Sequence, residues 1–250
     1  MSDYGGQHKE SNYEIISILA FDYEAAIEWE IKRRQIRNKI LKDGRRMSFK
    51  NLGDHRRKQA LPPFLSAANS IAGICAIFVI SKRIKYLCSL PEQLRELAKY
   101  AALEGNWKAN SLEHVIRIVH FVSLLIAGLS HPDQNVYWIS DEDYLFANIP
   151  RSQDVTRLTS YFTSYYVKHP LGELGIGTTQ IDESDLRLED LAALPDLVAG
   201  ALSEIATKIA TTHNGYIPVR LAFPLPTKLS WKSKMLSDWL SDNTSKLKKR

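Results

Sequence analysis

Short apolar, β-branched runs alternate along this chain with longer stretches of helical periodicity, and that alternation leaves few architectures open to it. The segments NYEIISILAF (12–21), ICAIFVISK (74–82) and NVYWIS (135–140) have the length and composition of strands. ICAIFVISK, largely apolar, reads as a buried central strand. The glycine-punctuated LGELGIGTTQI (171–181) is a further strand candidate. Between them, 23–41 places Ile27 with Ile31 and Ile36 with Ile40, one turn apart, so it reads as a helix. Helices are also expected over 56–69, interrupted or restarted near Pro62-Pro63, and over 92–103, 111–129, 155–166 and 188–210. Strands separated by helices of this length predict an α/β fold.

A chain of 250 residues, 44% of them hydrophobic, can bury a proper core. The natural division is one α/β domain over 1–226, with a helical insertion at about 91–130, followed by a basic tail or helix over 227–250. Cys75 and Cys88 form neither a disulfide framework nor a Cys-x-x-Cys metal pattern, which suits a reducing cytoplasm. No secretory leader is visible, and the runs IAGICAIFVI and FVSLLIAGL are shorter than the roughly 20 residues a membrane span requires. The expectation is a soluble, cytoplasmic protein without a membrane partner. No Gly-x-x-x-x-Gly-Lys-Ser/Thr loop and no Gly-x-Ser-x-Gly elbow occurs, which argues against ATP hydrolysis and against a serine hydrolase.

Charge is distributed unevenly. Residues 31–58 carry twelve Lys/Arg against Asp43 and Asp54, and 228–250 carries seven bases against two acids. Residues 182–196 hold six acids and a single base, Arg187. Basic flanks around an acidic cluster suit a protein that holds a polyanion, although any single charge run is more often a solvated helix face. On the nucleic-acid reading, Arg33, Arg34 and Arg37, with Arg45 and Arg46 beyond them, track the backbone. Trp231 and Trp239, set among lysines, stack bases or dock a partner protein.

The acids fall at telling places. Asp141, Glu142 and Asp143 follow the apolar run VYWI, at a strand end where α/β sheets collect functional groups. Asp3 opens the first sheet region, and Asp196 sits among Leu194, Leu197, Val198 and Leu202, where an unpartnered carboxylate is costly to bury. Carboxylates gathered from such positions are hard oxygen ligands for Mg²⁺ or Mn²⁺. Each also has a plain structural reading: a chain end for Asp3, a solvated turn for Asp141 and Asp143, a helix first turn for Asp196.

Taken in order, SDYGG with Asp3, MSFKNLGD with Lys50, WISDED and LEDLAALPDLVAG resemble a large bacterial group of ribonuclease H-fold proteins. That group opens on an Asp-Glu-Ser-Gly-type motif and ends on an Ala-Asp-Leu-Val-Ala-Gly-type helix. The resemblance runs from about Asp3 to Ala201. It implies a ribonuclease H-like mixed sheet flanked by helices, and a divalent-metal-dependent nuclease hydrolysing DNA or RNA. An antiviral defence effector is one role open to such a protein. It also implies that Asp3, Asp143 and Asp196 hold Mg²⁺ or Mn²⁺, that Asp141 assists, and that Lys50 contacts the scissile phosphate. The chain departs from the pattern at Tyr4 and Ser48, where the motifs carry Glu, and at Pro195, where they carry Ala. The missing glutamates keep open a second expectation: an inactive ribonuclease H-fold module that binds nucleic acid or a partner protein, with homo-oligomers open to either.

Overall fold

The computed structural model describes residues 1–6, 10–86, 91–141, 144–182, 185–212, 217, 226 and 228–247. The chain divides into two compact units, Met1–Lys82 with Asp182–Arg250, and Arg83–Ile181. Both combine strands with flanking helices, as the alternation in the sequence predicts.

In the first unit, β1 (Ser2–Gly5), β2 (Tyr13–Phe21) and β3 (Gly73–Ser81) form an antiparallel arrangement with β2 in the middle. Asp3 pairs with Ser17 and Gly5 with Ile15, so these side chains share a face. Among the described residues, this unit's α-helices are α1 (Ile27–Lys39), α2 (His55–Ala68), α6 (Arg187–Thr212) and α7 (Trp231–Leu247). The long α6 packs on β1 and β2, and α7 packs on α6. Tyr13 and Ile15 meet Ala199, Ala206 and Ala210 in one apolar cluster. The alanines matter because they let the helix come close: a Cβ on Gly5 would stand 2.8 Å from the Ala199 carbonyl oxygen.

Two expectations change here. β3 is not a buried strand: Ile74, Ile77 and Val79 are exposed, and among the described residues β2 is its one strand partner. α2 runs unbroken through Pro62 and Pro63, because Ala60, Leu61, Phe64 and Leu65 bury on both sides of the lost backbone bonds. Asp54 accepts a hydrogen bond from Arg57 N (3.0 Å) to cap its start. Residues 231–247 form a helix, one of the two forms expected of the C-terminal segment, and it belongs to the first unit.

The second unit holds α3 (Pro91–Tyr100), α4 (Ala109–Leu129), β4 (Val136–Ser140), α5 (Ile149–Tyr166) and β5 (Leu174–Thr178). The segment expected as a helical insertion is therefore part of a larger unit with strands of its own. β4 and β5 are parallel, Trp138 opposite Ile176, with α5 as the crossover that parallel strands require. By length and composition α4 is apolar enough to cross a membrane, but Val115, Ile118, Val119 and Val122 are buried inside the unit. Its apolar character is used in packing. Asp154 on α5 is fully buried and accepts hydrogen bonds from Glu104 N (2.9 Å), Gly105 N (2.7 Å) and Trp107 Nε1 (2.7 Å), which fixes the turn between α3 and α4.

Candidate functional site around Asp196

Asp196 lies in the third turn of α6, with Glu189 and Asp190 occupying the first, so it is not the helix-start residue its neighbour Pro195 suggests. Its carboxylate is half-buried and accepts a hydrogen bond from Phe49 N (2.7 Å). The Phe49 ring lies on α6 because position 200 is glycine; a Cβ there would stand 2.3 Å from the ring. From the other side, Lys232 of α7 donates to the Phe49 carbonyl oxygen (2.9 Å) and holds its ammonium 3.8 Å from the ring centroid. One residue, Phe49, is thus held at its N–H by α6 and at its C=O by α7. Lys50 follows it and is exposed.

β1, which carries Asp3, packs on the same helix. Gly5 lies against Ala199 and Gly6 against Ser203, so strand and helix ascend together. Asp3 shares the helix-facing side of β1 with Gly5.

The other predicted ligands belong elsewhere in the chain. Asp141 follows β4 in the second unit, and Asp143 lies outside the described residues. Among the described residues no set of three His, Cys, Asp or Glu side chains is close enough to hold a metal ion. The first unit therefore supplies two carboxylates with oxygen donors of the right kind, and one Asp196 oxygen already accepts the Phe49 N–H. The fit to a divalent ion is partial.

The basic helix is reassigned. Arg33, 1% exposed, donates to Glu30, Asp185 and Asp190, and Arg37 donates through Nε to Asp190 (2.8 Å). Burial opposes the charge on Glu30, but hydrogen bonds from Arg33 and Arg34 outweigh it and hold its carboxyl below the usual range. Arg34 is solvent-facing and paired with Glu30. Arg45 is gripped by Asp43 and Asp54, and Arg46 pairs with Glu189. Arg33, Arg37 and Arg45 are thus spent on fastening α1 and its following loop to α6 and to α2. Part of the basic run of 31–58 reads as a polyanion track in sequence because the acids paired with Arg33, Arg37 and Arg46, namely Asp185, Asp190 and Glu189, lie about 150 residues away.

Phe49, Gly200 and Lys232 escaped the sequence reading. Phe49 sits beside the singled-out Lys50 and Gly200 within the helix motif, yet only the fold reveals that they touch. Glu204 is another such residue: it accepts hydrogen bonds from Ser230 N (2.8 Å), Ser230 Oγ and Ser233 Oγ (2.6 Å each), tying the start of α7 to α6. Burial disfavours its ionisation, yet these bonds and Lys208 win and bring its carboxyl down to about 2.

Comparison with known proteins finds no matching family model, no similar curated protein and no similar solved structure.

Proposed function

We propose that the chain is a ribonuclease H-like, divalent-metal-dependent nuclease hydrolysing phosphodiester bonds of DNA or RNA. The observation that supports the reading is that Asp3 shares with Gly5 the side of β1 that faces α6, the helix that carries Asp196. The antiparallel strands of the first unit and the parallel pair of the second are the two kinds of pairing a mixed sheet of that class combines. In this reading Asp3 and Asp196 hold Mg²⁺ or Mn²⁺. The bound ion supplies an acidified water and neutralises charge on the phosphate. Lys50, projecting from the Phe49 turn, contacts the phosphate as a point charge. The Asp196–Phe49 N–H bond orients the carboxylate and fixes the turn from which Lys50 projects.

A second reading has its own support. Asp196 already has a structural task, and among the described residues no three His, Cys, Asp or Glu side chains are close enough to hold a metal ion, which favours an inactive module that binds nucleic acid or a partner protein.

Thermal melts in EDTA and in millimolar Mn²⁺, beside cleavage assays on single- and double-stranded DNA and RNA, separate the two. A nuclease is stabilised by the metal, cuts, and loses cutting in Asp196→Asn while keeping its fold, since the asparagine oxygen still accepts the Phe49 N–H. No metal effect and no cleavage, or an Asp196→Asn protein that still cuts, rejects the assignment.

A further inference from the structure

The outward side of α5 in the second unit carries rings where a packed helix would carry polar groups. Tyr165 is 66% exposed and Tyr161, one turn before it, 47%. Tyr100, at the end of α3, is 78% exposed and meets Tyr161 edge-on, with ring centroids 6.4 Å apart and planes at 74°. Single exposed tyrosines are ordinary, but three on one surface of one unit form a patch. A ring with a hydroxyl at its edge tolerates water on one side and a planar apolar partner on the other.

Charge identifies the partner. Arg157, one turn before Tyr161, is 41% exposed, and its guanidinium is held against the Ala101 and Ala102 carbonyls beside Tyr100. Lys168 holds its ammonium 5.6 Å from the Tyr165 ring centroid and donates to the Tyr165 carbonyl. Cations thus flank the rings at both ends. Arg157 lies 3.9 Å from the buried Asp154, the sole acid of α5, and 3.9 Å from Glu104, and Glu96 is exposed one turn before Tyr100. Rings at one-turn spacing with a cation at each end suit a chain of alternating planar groups and negative charges. An acidic peptide would satisfy the cations and leave the ring faces unused. A duplex keeps its bases stacked inside.

We infer that Tyr100, Tyr161 and Tyr165, flanked by Arg157 and Lys168, form a platform on which the bases of single-stranded nucleic acid stack. These residues belong to the second unit and Asp196 to the first. The ligand class rests on the nuclease reading above, and the platform adds to it a preference for unpaired strands. Stacking carries sequence-tolerant affinity, while the two cations contribute the salt-dependent part.

The test is fluorescence anisotropy of a labelled thymidine oligonucleotide of about 20 nucleotides with the full chain, in EDTA so that nothing is cut. An abasic oligomer of equal length serves as control. The parent protein binds the thymidine oligomer and discriminates against the abasic one. Tyr100→Ala, Tyr161→Ala and Tyr165→Ala together weaken binding at least about tenfold, the scale of one lost base stack, while the same three positions as Phe retain it. Arg157→Gln with Lys168→Gln instead flattens the dependence of affinity on salt, by about 0.7 in slope for each contact. Equal affinity for the abasic oligomer, an unaffected alanine triple, or no binding to either oligomer overturns the proposal. Because binding is read without metal, tyrosine-dependent binding beside absent cleavage in Mn²⁺ sustains the platform and rejects only the nuclease.

Discussion

Replacing Asp190 by Ala tests whether the basic helix is structural. Asp190 is 1% exposed and accepts from Arg33 Nη1 (3.2 Å), Arg37 Nε (2.8 Å) and Arg37 Nη2, so the change leaves two buried guanidinium groups facing a void. Removing one partner of a buried ion pair costs about 3–5 kcal/mol, most of it the uncompensated charge left behind. Arg33 keeps Glu30 and Asp185, which lowers its share; Arg37 keeps the Arg45 carbonyl as its other acceptor. The expected loss is therefore about 3 kcal/mol, at the lower end of that range. At about 2–4 °C for each kcal/mol in a chain of this size, the melting temperature should fall by roughly 10 °C. Adding Arg37→Met should restore part of that loss, because the second change removes the stranded charge. The assay is thermal unfolding of the single and double variants followed by circular dichroism. An Asp190→Ala protein that melts within about 2 °C of the parent would show that water reaches these arginines, and would return the helix to the pool of polyanion-binding surfaces.

Three further outcomes are expected. Glu204 has a folded-state carboxyl near 2, below its ordinary value of 4.5, so its contribution is complete above about pH 4.5 and disappears as pH falls toward 2. Melting temperatures measured across that window should drop in the parent and be flatter in Glu204→Gln. Gly200→Ala would drive a methyl to 2.3 Å from the Phe49 ring and should cost about 1–3 kcal/mol by overpacking, whereas Gly53→Ala, with nothing within 4 Å, should be nearly neutral in the same urea melt. Lys50→Ala should leave the melting temperature and any Mn²⁺ shift unchanged while slowing cleavage, since its side chain is exposed and its proposed partner is phosphate; equal slowing and destabilisation would refute that role.

Strands and helices were legible wherever periodicity alone decides them. Residues 12–21 and 135–140 are the strands expected, and 111–129 is the buried helix its composition predicts. Errors arose where tertiary burial overrode a local rule, as at Pro62-Pro63, or where the environment of a strand was inferred from its apolarity, as for β3. The site was legible in part. Asp196 stands out as a carboxylate amid leucines, and Asp3 through its motif, but the pairing of Asp190 with Arg33 and Arg37 joins residues about 150 apart and leaves no local mark. Charge counting over a window sees only one side of such a pair.

α6 acts as a ruler. Asp190 secures α1 and Glu204 secures α7, fourteen residues later by their numbers, about 21 Å along the axis and within about 40° of the same face. Asp196 and Gly200 stand between them. A rigid helix cannot absorb an added or deleted residue: each one turns everything beyond it by about 100°. One extra residue anywhere between Asp190 and Glu204 would therefore set at least one neighbour out of register with its partner. The stretch tolerates exchange of side chains far better than any change in length, so relatives of this chain should preserve the Asp190–Glu204 spacing even where little else of the sequence survives.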